Sequence, residues 1–234
     1  LTPLLTGLVD DAGLFPPAWL PMDVAVQRHR ESSSPMLSGR FLCPGDRVGE
    51  LLAVLGEQDR LEVHLVGDEA VDLPTDPRVI VRAVELRSGV MTQVPCYLEG
   101  VAPKELKAHG VLGKLRCGGA RVPSVEEVAT YVQAAARVSL PFKATAGLHA
   151  AVRGWESTAG EPHHGYLNLV LAVARSLTNG DVAEVLRCTE GEALADEARE
   201  LSADLVTATR WMLHSYGSCD TDRPVSDARA LGLL

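Results

Sequence analysis

The run Val111-Leu112-Gly113-Lys114-Leu115-Arg116-Cys117 is the stretch on which the fold turns. Successive strand residues point to opposite faces, so as a strand it puts Lys114 and Arg116 on one face and Leu115 and Cys117 on the other. Three further apolar runs turn charged or polar on one alternate face in the same way. Lys143 and Thr145 share a face in the run from Leu140, Tyr97 and Glu99 in the run from Val94, and Glu85 and Arg87 in the run from Val79. Neighbouring parallel strands are normally covered by helices on the outside. The charged ends then converge on the centre, at the end of the strands where barrel enzymes keep their chemistry.

Working outward, strand-like runs also occupy Gly7 to Asp11, Arg40 to Cys43 and Leu61 to Val66, and an eighth candidate begins at Gly165. Helix signals lie between several of them. Ser124-Val125-Glu126-Glu127 has capping-box spacing and opens a helix to Arg137; Pro103 and Gly110 bracket a shorter one, and Asp46 to Leu55 is a third. Strands alternating with helices imply a parallel sheet, and eight of them imply an α/β (β/α)8 TIM barrel with a polar lumen. Two places leave room for an irregular or incomplete barrel. Leu86 to Val94 is too short for a helical crossover, so these strands are joined by a bare loop or run antiparallel. The run from Gly165 continues without interruption to Arg175 and reads equally well as a buried helix.

Residues 1–178 are therefore assigned to the barrel and 179–234 to a C-terminal helical extension. In that extension Thr189 and Glu192 have capping spacing, and Leu194, Ala198, Leu201, Leu205, Ala208 and Met212 follow at helical intervals. The pattern predicts one long helix from Glu190 to His214 that packs on the barrel or on a partner subunit, with a homodimer expected. Gly217 to Leu234, poor in core residues before Ala228, is expected to be loosely ordered.

Composition narrows the function. A chain of 234 residues with 46% hydrophobic content can bury a large core. Its net charge of −9, with scattered Lys and Arg, argues against nucleic acid and anionic membranes as partners, and 4% aromatic residues provide no stacking platform for bases. Five widely spaced cysteines without a C-x-x-C pair argue against a disulfide framework and a structural zinc site. With no basic flank on Leu1-Thr2-Pro3-Leu4-Leu5 and no membrane-length apolar stretch, a cytoplasmic location is expected.

Two lysines inside a barrel carry the chemical reading. Desolvation and a neighbouring cation both disfavour an ammonium, freeing an amine to attack a carbonyl at neutral pH. Lys114 and Lys143 are the candidate pair, and the competing reading is that each simply pairs with Glu85 or Glu99 in a buried network. Glu99 is the best-placed general acid or base, with Glu85 second. Arg116, followed by Gly118-Gly119, and Arg87 point to a carboxylate or phosphate on the substrate, because a glycine pair lets backbone amides approach an anion. Asp10 or Asp11, before the Phe15-Pro16-Pro17 turn, reaches the cavity mouth. His149 and one of His163 or His164 are expected to contact substrate, with Tyr97, Thr145 and Asn168. A metal centre built from Glu85, Glu99, His149 and His164 is the alternative, although their spacing matches no zinc motif. The preferred reading needs neither metal nor cofactor.

Val111-Leu112-Gly113-Lys114 and Phe142-Lys143-Ala144-Thr145-Ala146-Gly147 resemble the sixth and seventh strands of deoxyribose-phosphate aldolases. That resemblance implies a class I barrel aldolase in which Lys114 forms the Schiff base and Lys143 tunes it. The seventh-strand run keeps the family's lysine, threonine and glycine, while the family's catalytic aspartate and glycine-rich phosphate loops have no clear counterpart here. The resulting expectation is a lyase acting on a small anionic carbonyl metabolite; the rivals are a metal-dependent lyase or isomerase and a non-catalytic metabolite-binding barrel.

Overall fold

The computed structural model describes residues 3–156 and 161–234; Leu1 and Thr2, the first residues of the segment read for a leader, lie outside them. In chain order the elements are β1 (Val9–Asp11), α1 (Met22–Glu31), β2 (Leu37–Pro44), α2 (Val48–Val54), β3 (Leu61–Gly67), β4 (Val79–Leu86), β5 (Cys96–Glu99), α3 (Pro103–Ala108), β6 (Leu112–Arg116) and α4 (Val125–Arg137). They continue with β7 (Phe142–Thr145), β8 (Gly154–Glu156), β9 (Glu161–His163), α5 (Tyr166–Leu177), α6 (Val182–Arg187), α7 (Gly191–Glu200), α8 (Ala203–Met212), β10 (Leu213–Ser218) and α9 (Asp222–Ala230). Eight strands close a barrel in the order β1-β10-β7-β6-β5-β4-β3-β2, and every neighbouring pair is parallel. β8 and β9 form a separate antiparallel hairpin between β7 and α5.

The α/β barrel is thus closed, and the eighth strand is β10 rather than the run from Gly165. That run is α5, buried from Tyr166 to Ala174 and packed against α4, α6, α7 and α8. A helix enclosed on all sides is apolar all round, which is why its sequence shows no polar face. β10 carries the opposite signature. It reads Leu-His-Ser-Tyr-Gly-Ser because its inner face meets a polar lumen, so it lacks the apolar run expected of a parallel strand. The boundary at residue 178 therefore does not separate a barrel from an extension, since β10 completes the barrel from within 179–234. Nor does one helix span Glu190 to His214: Leu201 is extended, and the Ser202 hydroxyl accepts from the Leu205 amide to open α8. The last residues are ordered as α9, whose Val225 and Ala228 are buried.

The short connection after Leu86 is a bare loop between parallel strands. β5 is only 4 residues long. The loop thus has to return about 13 Å, well within what residues 87–95 can span. α4 begins as its sequence indicates. Ser124 Oγ accepts from the Glu127 amide and Glu127 returns the bond to the Ser124 amide, while Arg121 holds the Glu127 carboxylate from outside. No helix among the described residues is long and apolar enough to cross a membrane.

Candidate active site

The barrel lumen is charged rather than filled with aliphatic layers. Asp10, His64, Glu85, Lys114 and Lys143 are all buried, and they come from β1, β3, β4, β6 and β7. Lys114 and Lys143 occupy paired positions on adjacent strands. They meet through a carboxylate. Glu85 Oε2 lies 3.1 Å from Lys114 Nζ, while Glu85 Oε1 accepts from Lys143 Nζ and lies 3.0 Å from His64 Nδ1. Lys143 also donates to Asp10 Oδ2 at 2.6 Å. Asp10 is held in addition by Ser215 Oγ at 2.6 Å, Ser38 Oγ at 2.5 Å and Arg40 Nε at 2.8 Å.

Burial and charge oppose each other here, and charge wins. Burial alone would raise the carboxyl pKa values of Asp10 and Glu85, yet the Lys143 ammonium, with Arg40 at Asp10 and Lys114 at Glu85, holds both below the carboxylate range. Burial likewise pulls the Lys143 pKa down, and Asp10 and Glu85 more than compensate, so it lies above the usual lysine value. Lys143 is accordingly a fixed cation. Tyr97, whose hydroxyl bonds His214 Nδ1 at 2.7 Å, is pushed up to about 12 by burial and stacks on the His64 ring.

An open cavity of 1140 Å³ sits above this network at the C-terminal ends of the strands. Lys114 and Glu85 form its floor; Arg87, Arg116, Gly119, Thr145, His149 and Arg223 line its walls, with Phe15, Pro16 and Pro17 at one edge. Arg116 donates Nε and Nη2 to the two oxygens of Glu99, leaving Nη1 turned toward Gly119, where a methyl group would come within 3.2 Å of it. The loops after β6 and β7 touch backbone to backbone: a Cβ on Gly118 would lie 2.7 Å from Gly147 Cα. Ala146, next to Thr145, is held at φ +61°, a conformation that ordinarily favours glycine.

Lys114, Glu85, Arg87, Arg116, Gly119, Thr145 and His149 therefore share one cavity, with Lys143, Asp10 and Tyr97 beneath its floor. The other anticipated residues lie elsewhere. Glu99 spends both oxygens on Arg116 beside the wall, and Gly118 is closed off by Gly147. His164 borders a smaller adjoining recess, where Nε2 lies 2.8 Å from Pro123 O. Asn168, in α5, donates to the carbonyls of Val185 and Cys188 and accepts from the Arg153 amide, so it ties loops together away from the cavity. Asp11 accepts from the Gly13 amide and pairs with Arg28, holding the turn after β1. Arg87, at the cavity rim, pairs with Asp68.

Glu85, Glu99, His149 and His164 do not come together as metal ligands. Among the described residues, the grouping with donor atoms within 4.8 Å of one another is Asp10, His64 and Glu85, and the Lys143 ammonium lies between its two carboxylates. Sequence reasoning missed His64, Arg40, Ser38 and Ser215. Ser38 and Arg40 alternate on β2 in the pattern that singled out Lys114 and Arg116, at the opposite end of the strand. Ser215 falls just past the helix read as ending at His214, where no apolar run marked a strand; a register shift in β10 between Leu213 and Tyr216 lets consecutive His214 and Ser215 both reach lumen residues. Comparison with protein-family models, curated proteins and solved structures found no match.

Proposed function

We propose that this barrel is a class I aldolase or lyase-like enzyme in which Lys114 forms a Schiff base with a small anionic carbonyl compound. One observation carries the reading: Lys114 is a nearly buried lysine that nevertheless borders an open cavity at the catalytic end of a barrel, beside a second, permanently charged lysine. Arg116 Nη1, with the open backbone at Gly119, supplies a place for the substrate anion. The resemblance to deoxyribose-phosphate aldolases assigns the same lysine. The chemistry is cytoplasmic in this reading, in keeping with five free thiols.

The test is reductive trapping. Borohydride added with glyoxylate, pyruvate or glycolaldehyde should leave a stable secondary amine on Lys114, found by peptide mass spectrometry, and Lys114→Arg should abolish it in a folded protein. Labelling should be unchanged by a chelator, since the imine supplies the electron sink that a metal would otherwise provide. Chelator-sensitive turnover without trapping would favour the metal-dependent lyase; no trapping and no turnover in a folded protein would favour a binding protein. A homodimer through α8 belongs to the same proposal. Trp211 is 52% exposed there, and Trp211→Lys should convert a sedimenting dimer to a monomer.

A further inference from the structure

Glu85, the second of the two carboxylates read as a general acid or base, lies between the two lysines and at the cavity floor. Building on the Schiff-base reading, we infer that Glu85 is the catalytic proton carrier of imine formation at Lys114, and that His64 is its positioning residue. Glu99, the carboxylate expected in that role, is occupied at both oxygens by Arg116. Glu85 divides its oxygens differently. Oε1 is anchored by Lys143 and by His64 Nδ1 at 3.0 Å, which leaves Oε2, 3.1 Å from Lys114 Nζ, to exchange protons.

The steps balance with this one carboxylate. The Lys114 ammonium gives a proton to Oε2, and the freed nitrogen lone pair forms the N–C bond as the carbonyl π pair moves onto oxygen. The protonated Glu85 returns its proton to that oxygen, giving a hydroxyl. Glu85 then takes a second proton from the now cationic nitrogen. The nitrogen lone pair re-forms the double bond while the hydroxyl leaves with that proton as water. An ammonium and a carbonyl have become an iminium and a water, and Glu85 is again a carboxylate. The iminium bears the charge the ammonium bore, at the same atom. Its partner across the short gap is the same Oε2, so the electrostatic environment that holds Lys114 at rest also stabilises the electron-accepting intermediate without reorganisation. Lys143, Asp10 and Arg40 keep their charges throughout.

His64 acts through Glu85. Its ring stacks on Tyr97 with centroids 5.8 Å apart, and Tyr97 is in turn fixed by His214, so the imidazole orients Oε1 and thereby aims Oε2 at Lys114. Without it, the carboxylate can rotate onto Lys143 alone.

The experiment follows Lys114 labelling by glyoxylate and borohydride in time, from pH 5 to 9, in the whole protein, with circular dichroism and thermal melting as folding controls. Glu85→Gln should slow imine formation about 10²–10⁴-fold at every pH in this range, the span of general acid–base catalysis. Glu85→Asp, which keeps a carboxylate, should label at an intermediate rate. His64→Leu leaves both lysines and the carboxylate in place; it should slow labelling about tenfold and displace the profile, and it keeps the test decisive if Glu85→Gln does not fold. Wild-type labelling matched in rate and pH profile by Glu85→Gln, or by His64→Leu where only that variant folds, overturns the inference and spares the Schiff-base reading. A wild-type protein that never labels Lys114, or labels Lys143, overturns both.

Discussion

At the scale of single residues, Lys143 is the centre of the interior. Its ammonium lies between Asp10 and Glu85, and all three groups are buried from water. Removing one partner of a buried ion pair leaves an uncompensated charge, which costs about 3–5 kcal/mol. Lys143→Met should lower unfolding free energy by that amount in denaturant titrations, and Lys143→Met with Asp10→Asn should recover part of it because the stranded charge is neutralised. A loss below about 1 kcal/mol would mean that water reaches this part of the lumen. The sequence reading had Lys143 acting on Lys114 directly, as one cation beside another. Both lysines and Glu85 were legible as inward-facing residues, from alternation alone. Pairing of each lysine with Glu85 or Glu99 was the competing reading of the sequence; that Glu85 takes both was not legible, because side chains from β4, β6 and β7 meet only once the barrel has closed.

At the scale of elements, the loops that end β6 and β7 are set by glycines in contact. Gly147 has φ +70°, and a Cβ there would lie 2.8 Å from Cys117 O. Gly147→Ala combines a left-handed alanine, costing about 1–2 kcal/mol, with a clash against backbone that cannot turn aside. It should therefore destabilise by more than that range and weaken binding of an anionic probe, because the β6 loop that carries Gly119 must shift. Unchanged anion affinity, measured by calorimetry with inorganic phosphate, would place the binding groups elsewhere. Elements whose signals are local were readable in advance: the α4 capping box, Pro103 opening α3, and the strands with one apolar face. Those whose character depends on surroundings were left open, as α5 was between strand and buried helix, or missed, as β10 was. α5 is apolar all round because it is enclosed, and β10 is polar because it faces the lumen, so each carried the pattern usual for the other.

At the scale of the whole molecule, the charged lumen ties stability to pH. The Asp10 and Glu85 pKa values are lower in the folded protein, so their contribution is present above the unfolded carboxylate value of about 4 and is lost as pH falls through the folded values. The Lys143 value is raised. Its contribution is complete below the unfolded lysine value of about 10.4 and is lost only as pH rises through the folded value. Denaturant unfolding should therefore give a plateau across neutral pH and a decline below about pH 4; stability that increased on acidification would refute the ion-paired core. The amino-acid sequence by itself determined the α/β class, the parallel strands and the inward face of each charged run, since these follow from periodicity along the chain. Tertiary structure alone decided which strand closes the barrel, which carboxylate joins the two lysines, and which of the anticipated polar residues are spent on holding loops. Those outcomes depend on distances between residues far apart in the chain, and closure of the barrel sets them.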